Sequence, residues 1–218
     1  MVHKEQNIKI IVERVINDLP SSISLYFARP AKFTFAAGDW VDLKFGDKQL
    51  LGGKTYSISA SPTEDKLRIT FREGVSQFKK AMQSAQAGDT LTITQYGNDY
   101  NFQLKKNQSS VLIAGGIGVA PFRSMLKEMF DNDERNEVTL IYLNQNDTFL
   151  FRDELDFWSE KMPNLTINYI PTNDINRKKR EKLITSFITS TNQNFYISGP
   201  PEMVESNEHL LVDIGVNV

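Results

Sequence analysis

The stretch Val111-Leu112-Ile113-Ala114-Gly115-Gly116-Ile117-Gly118-Val119-Ala120-Pro121 runs from an unbroken apolar segment through three glycines into a proline. A short continuous apolar run is the pattern of a strand buried on both faces, the kind found in parallel sheets. After it, Phe122, Met125, Leu126, Met129 and Phe130 fall at i, i+3, i+4, i+7 and i+8, which is one face of a helix. The same alternation continues downstream. A strand-like run at 138–143 precedes a helical segment carrying Phe151, Leu155 and Trp158; a strand at 165–170 precedes a helix over 180–189; a strand at 195–198 precedes a last helix with Met203, Val204, Leu210 and Leu211. Apolar strands alternating with amphipathic helices imply a parallel sheet covered on both faces.

Upstream the period changes. Short β-rich runs fall at 8–15, 23–28, 40–45, 55–59, 66–71 and 90–95, separated by turn residues that include Pro20, Pro30, Gly38-Asp39, Gly52-Gly53, Pro62 and Gly88-Asp89. Leu67-Arg68-Ile69-Thr70-Phe71 and Leu91-Thr92-Ile93-Thr94 alternate as half-buried antiparallel strands do. This half reads as a small barrel or a sandwich. One helix interrupts it, with Ser76 as a cap and Phe78, Met82 and Ala85 on one face. The polar stretch 105–110 marks the change, so the reading is of two domains, 1–106 and 107–218.

Composition narrows the chemistry. The 218 residues include 25 Lys+Arg against 27 Asp+Glu and contain no cysteine. That excludes disulfides, thiolate metal sites, cysteine-ligated clusters and thiol nucleophiles, and two histidines, His3 and His209, leave no His-rich metal site. No metal is expected, and redox chemistry needs a bound organic cofactor. A formal net charge of −2 with interspersed signs offers no broad field for nucleic acid or an anionic membrane. No run reaches the ~20 apolar residues of a spanning helix. The start of the sequence lacks a signal-peptide core, and the expected location is cytoplasmic.

Ligands of such parallel sheets bind beyond the carboxyl ends of the strands. Two glycine turns stand there. Gly115, Gly116, Gly118 and Pro121 suit a pyrophosphate approaching a helix start, and equally a plain tight turn, since Pro121 stands where a third glycine is usual and Asn144-Gln145 replaces a ribose-binding acid. Ser198, Gly199 and Pro200 end a strand, either as a simple terminator or to present the Ser198 hydroxyl at the ligand edge. In the β half, Lys54-Thr55-Tyr56-Ser57 offers a cation, a ring and a donor; spacing alone favours an ordinary alternating strand.

In order and spacing these pieces resemble the ferredoxin–NADP reductase-type flavoproteins, which join an antiparallel flavin-binding barrel to a pyridine-nucleotide domain. Lys54-Thr55-Tyr56-Ser57 resembles the family's Arg-x-Tyr-Ser/Thr flavin motif, and Arg72-Glu73-Gly74-Val75-Ser76 its Gly-x-x-Ser/Thr pyrophosphate turn. The turn 115–121 resembles the nicotinamide-domain turn, Ser198-Gly199-Pro200 stands where Cys-Gly-Pro is frequent, and Tyr96-Gly97-Asn98-Asp99-Tyr100 resembles the loop that closes the barrel. The resemblance implies an antiparallel β-barrel FAD domain followed by a Rossmann-like α/β domain. It implies hydride transfer from NADH or NADPH to FAD and electron release to an acceptor: a small redox protein, a partner domain or oxygen. By the same resemblance, Tyr56 packs near the flavin ring, Ser57 and Ser198 are the catalytic candidates, and Lys54, Arg72, Gly74 and Ser76 hold the flavin's phosphates. Gly115, Gly116, Gly118, Pro121, Gly199 and Pro200 shape the nucleotide site.

Three departures qualify the match. Lys54 exchanges a planar fork for a point charge. Ser198 lacks the polarisable sulfur. The sequence ends at 213–218, where the resemblance implies a further strand and often an aromatic residue over the flavin; for a chain complete at Val218 the expectation is a flavin face that is open, and so reacts readily with oxygen, or is covered by a different segment. The loop 144–148 has no cation, and Arg177-Lys178-Lys179-Arg180 reads as a solvated helix start, which favours NADH. Two other readings stand beside this one: an electron-transfer subunit that acts only in a complex, and a dinucleotide-binding module without flavin.

Overall fold

The computed structural model describes residues 4–46, 50 and 54–217. The expected Gly52-Gly53 turn, His3 and the terminal Val218 lie outside the described residues. The chain divides into two compact units, one of residues up to 103 together with 123–128, the other of 104–122 and from 129 onward.

The first unit is a six-stranded antiparallel sheet in the order β4-β3-β6-β1-β2-β5. Its elements are β1 (Lys4–Leu19), β2 (Ser22–Ala28), β3 (Trp40–Phe45), β4 (Thr55–Ser57), β5 (Lys66–Arg72), helix α1 (Gln77–Gln83) and β6 (Thr90–Gly97). β1 serves two neighbours: its first half pairs with β6 as far as Ile11, and its second half, from Val12, pairs with β2. Register shifts between Val12 and Arg14 and between Asn17 and Leu19 bend the strand, as bulges do at barrel corners. The sheet closes at residue 58, where Ile58 bridges to Ile69 of β5 while its N–H donates to the Asp39 carbonyl. The strand expected over 55–59 therefore ends at Ser57, because the chain leaves β3 there to join the opposite edge. Closure makes this unit a barrel.

Alternating residues fill the interior, among them Val12, Leu25, Phe27, Val41, Leu43, Leu67, Ile69, Leu91 and Ile93, and α1 adds Phe78 and Met82. Ser76 caps α1 by accepting from the Lys79 N–H at 3.2 Å. One strand departs from the expected alternation. Arg68 and Thr70 of β5 are as buried as their inward neighbours. Arg68 donates to Ser24 Oγ at 3.0 Å and pairs with Asp18 at 2.7 Å, while Thr70 shares hydroxyl bonds with Ser24 and Ser59.

The second unit holds a four-stranded parallel sheet, ordered β10-β7-β8-β9, from β7 (Ser110–Gly115), β8 (Val138–Asn144), β9 (Leu165–Pro171) and β10 (Asn194–Ser198). The helices are α2 (Val119–Asp131), α3 (Arg152–Lys161), α4 (Arg177–Ser186) and α5 (Pro201–Asp213). Val111, Ile113, Ile141, Leu143 and Ile170 form one core with Ile184 of α4 and Leu211 of α5. On the other face, Tyr142 and Tyr169 meet Phe149, and the Tyr169 hydroxyl donates to Asp156 of α3. Helix α4 starts three residues before the expected 180, because Asn176 caps it by accepting from Lys179 N–H at 2.9 Å. No helix among the described residues is long and apolar enough to cross a membrane.

Phe27 is fully buried at the centre of the barrel. Phe27→Ala should cost about 3–5 kcal/mol of unfolding free energy in denaturant titration; a cost near zero would contradict its place in the core.

Candidate functional site

On the barrel, β4 presents the expected flavin residues in three pairs with β3: Trp40 with Ser57, Val41 with Tyr56, and Asp42 with Thr55. The Tyr56 ring stacks on Phe78 of α1, with centroids 6.1 Å apart and planes at 27°, and meets the Phe71 edge at 6.0 Å. Tyr56 is half-buried, and burial pushes its phenol up to about 12, so the hydroxyl is protonated at neutral pH. Ser57 is half-buried, while Lys54 and Arg72 are exposed. Arg72 ends β5, and Gly74 and Ser76 lie between it and α1. Gly74 has no positive φ, and a Cβ there would meet only the flexible Lys79 side chain.

The loop after β6 is tied back to β3. Asn98 Nδ2 donates to Asp39 Oδ1 at 3.0 Å and Trp40 Nε1 to Asp99 Oδ2 at 3.0 Å, while Tyr100 and Asn101 sit at φ +59° and +51° with the tyrosine ring exposed. Gly38, at φ +95°, faces the Phe102 carbonyl so closely that a Cβ would lie 2.0 Å from it.

At the carboxyl edge of the parallel sheet, the two glycine turns touch each other. Gly116 has φ +53°, a left-handed conformation suited to glycine, and its carbonyl accepts from the Tyr142 hydroxyl at 3.0 Å. Gly118 has no positive φ. Its constraint is packing: a Cβ would lie 2.2 Å from the Ser198 carbonyl oxygen and 2.6 Å from Gly199 Cα. Gly115 and Gly199 are likewise pressed against Met203 of α5. Residues 116–118 form a single 3-10 turn that runs straight into α2, so Pro121 is the third helical residue rather than the first. It still lies in the first turn, where a missing N–H costs nothing. Ser198 ends β10 half-buried, and Pro200 leads into α5.

Beyond β8, the Asn144 amide donates to Thr148 O at 2.7 Å, and its carbonyl accepts from Thr172 N–H at 2.8 Å and Oγ1 at 3.0 Å. Arg152 lies over Tyr169, 4.7 Å from the ring centroid, and pairs with Asp156. Arg177 pairs with Glu181 one turn on in α4, at the surface. Burial raises the Tyr142 and Tyr169 phenols above the ordinary value.

Two buried arginines escaped the sequence reading, Arg68 and Arg123. Arg123 stands next to the apolar stripe of α2, where a solvent-facing arginine would look the same.

Residues 112–209 match the family model for the oxidoreductase NAD-binding domain. The chain is 32% identical over 125 residues to sulfhydrogenase 2 subunit gamma of Pyrococcus furiosus, covering 56% of this chain and 42% of that one. It is 25% identical to flavohemoprotein A of Dictyostelium discoideum over 95% of this chain and 57% of the other. The chain thus spans about half the length of the curated relatives it matches. Among solved structures, a ferredoxin NADP+ reductase from Neisseria gonorrhoeae with bound FAD and NADP superposes with a TM-score of 0.81 at 22% identity, covering 97% of this chain and 93% of that one.

Two outcomes follow from this geometry. Gly118→Ala must displace backbone at Ser198, whereas the Gly116→Ala methyl would approach nothing nearer than 3.7 Å and bears only the left-handed strain of about 1–2 kcal/mol. Thermal unfolding should therefore fall further for Gly118→Ala than for Gly116→Ala; equal losses would contradict the packing role. The second concerns pH. With the Tyr56 phenol raised from 10 to about 12 on folding, its contribution is complete below pH 10 and is lost as pH rises from 10 towards 12. Tyr142 and Tyr169 add to that loss, and Tyr56→Phe should make it shallower in denaturant titrations across the window.

Proposed function

We propose, because residues 112–209 match the oxidoreductase NAD-binding domain and the fold is that of a ferredoxin NADP+ reductase, that the chain is a ferredoxin–NADP reductase-type flavoprotein, an FAD-dependent oxidoreductase taking a hydride from NADH or NADPH and passing electrons to an acceptor. The observation that carries this reading is the presence in one chain of two separate cradles. One is the Tyr56-Ser57 strand with the Arg72–Ser76 turn on a closed barrel; the other is the pair of glycine turns at the carboxyl edge of a parallel sheet. Residues 1–106 would hold FAD and 107–218 the nicotinamide nucleotide.

The barrel residues suit a flavin nucleotide by donor type. Tyr56 supplies a neutral ring braced by Phe78, and Ser57 a hydroxyl for the reacting edge of the flavin. Lys54 and Arg72 supply exposed cations, and the Lys79 side chain lies against Gly74, beside Ser76, as a further cation for phosphate. FAD, when bound, supplies the hydride-accepting and electron-relaying chemistry; the protein's part is to bind, orient and exclude water. At the second cradle, Gly115, Gly116 and Gly118 expose backbone at the start of α2, Pro121 stiffens its first turn, and Ser198 with Gly199 and Pro200 closes the far side. No protein base is needed, since a hydride moves without deprotonating a carbon acid.

NADH is the favoured reductant. The ends of β8 and β9 are furnished by amides and a hydroxyl, Asn144, Asn173 and Thr172, and Arg152 is engaged by Asp156 and Tyr169. The acceptor is a small redox protein, a partner domain or oxygen, and a cytoplasmic location belongs to the same proposal. The similarity to a chain named as a sulfhydrogenase subunit favours a second reading, in which electrons leave only within a complex.

The purified protein should take up one FAD per chain, and its visible flavin absorbance should bleach without oxygen on adding NADH, faster than with NADPH. Tyr56→Ala should loosen the flavin or shift its spectrum. Failure to take up FAD, or no bleaching with either nucleotide, would overturn the assignment.

A further inference from the structure

We propose that Arg123 of α2 is a positioning residue for the flavin strand: its guanidinium holds the segment just after Ser57 in place, and so sets where the Ser57 hydroxyl stands. The inference rests on the function proposed above.

β4 is only three residues long, and its ladder partners lie on β3 alone. What fixes its exit is the segment from Ile58 to Glu64. Arg123 is 2% exposed and belongs to the same compact unit as the barrel. Its Nη1 donates to the Ser59 carbonyl at 2.8 Å and to Glu64 Oε2 at 2.7 Å, and its Nη2 donates to Glu64 Oε1 at 3.1 Å. Glu64 Oε2 also accepts from the Ser61 N–H at 2.6 Å, so the carboxylate ties both ends of the turn to one guanidinium. The neighbouring Ser124 donates to the Ala60 carbonyl at 2.6 Å. From another side, Arg29 Nη1 donates to the Pro62 carbonyl at 2.6 Å. Ser59 itself is locked to β5, its N–H donating to the Arg68 carbonyl at 2.9 Å and its hydroxyl sharing a bond with Thr70.

Stability alone gives little reason for such an arrangement. A buried ion pair loses in desolvation much of what it gains in attraction, and apolar residues of similar volume often serve as well. Its geometric effect is specific. A planar fork that satisfies a carbonyl and a carboxylate together admits one position of the Ser59 backbone, two residues from Ser57, and a lysine cannot reproduce it. Hydride transfer is sensitive to that placement, since misplacement of about 1 Å can cost on the order of a hundredfold in rate.

The test uses Arg123→Lys and Glu64→Gln in the full chain. The unloaded variants should lose some thermal stability, Glu64→Gln because it leaves a buried guanidinium without its counter-ion, yet should still fold and bind FAD, with a shifted flavin absorption spectrum. At saturating NADH without oxygen, the limiting rate of flavin bleaching should fall about tenfold or more for Arg123→Lys and less for Glu64→Gln, which keeps one acceptor oxygen for the fork and leaves its bond to the Ser59 carbonyl in place. The nucleotide concentration giving half the limiting rate should stay unchanged. Should Arg123→Lys fail to fold, Glu64→Gln carries the same comparison. Variants that lose stability or FAD while the loaded fraction keeps the parent's spectrum and limiting rate would overturn the positioning role and leave the proposed function standing. A parent protein bleached by neither nucleotide would overturn the proposed function, and this inference with it.

Discussion

A β-sheet with two free edges exposes unpaired N–H and C=O groups to any other strand it meets, and closing the sheet removes both edges at once. In the first unit that closure runs through the residues just after β4, from Ile58 to Ala60. Ile58 gives its N–H to the β3 side through the Asp39 carbonyl and bridges to Ile69 on β5. The flavin candidates Tyr56 and Ser57 stand immediately before this crossing, on the shortest strand of the barrel. The site is therefore built where the fold completes itself, and whatever secures the crossing also secures the site. This is why a polar network there is tolerable: Ser59, Thr70, Ser24, Arg68 and Asp18 are hydrogen-bonded in one chain, with Asp18 Oδ2 left unpaired, in a place where solitary polar groups would be costly.

The parallel sheet solves a different problem, bringing two turns close enough to share a small space. Gly118 against the Ser198 carbonyl, and Gly199 against Gly115, are backbone-to-backbone approaches that any side chain would hold apart. Of Gly115, Gly116 and Gly118, Gly116 alone takes a left-handed dihedral angle. Glycines that look interchangeable as a phosphate-binding motif thus have separate jobs, one conformational and the others steric. The outer helices follow from ordinary amphipathic packing, with α4 and α5 against one face and the Tyr142–Phe149–Tyr169 aromatic group with α3 against the other.

Buried arginine is the common element of the contacts that shape the barrel site. Arg68 and Arg123 each use the guanidinium fork to hold carbonyl, hydroxyl and carboxylate groups from segments far apart in sequence. Such groups specify geometry more than they add stability, and both are concentrated around the residues that follow Ser57.

How much of this was legible beforehand depends on the range of the interaction responsible. Strand 40–45 was read with its bounds intact because alternation of Val41 and Leu43 with outward-facing neighbours is a local signal. Ser76 was read as a cap because its partner, Lys79, is three residues away. The four strand–helix alternations of the second half were likewise local, as periodicity is. The choice between barrel and sandwich was open, since it turns on the Ile58–Ile69 bridge. The burial of Arg68 rests on Asp18, 50 positions away, and the grip of Arg123 on Glu64, 59 positions away. The packing role of Gly118 rests on Ser198, in a different strand. Local sequence by itself determined which segments become strands and helices and which residue types reach the ligand edges, because backbone preference and side-chain period act within a few residues. Only the tertiary structure decided how the barrel closes, which glycine bends and which one packs, and which charges are buried, because those depend on partners that no local pattern names.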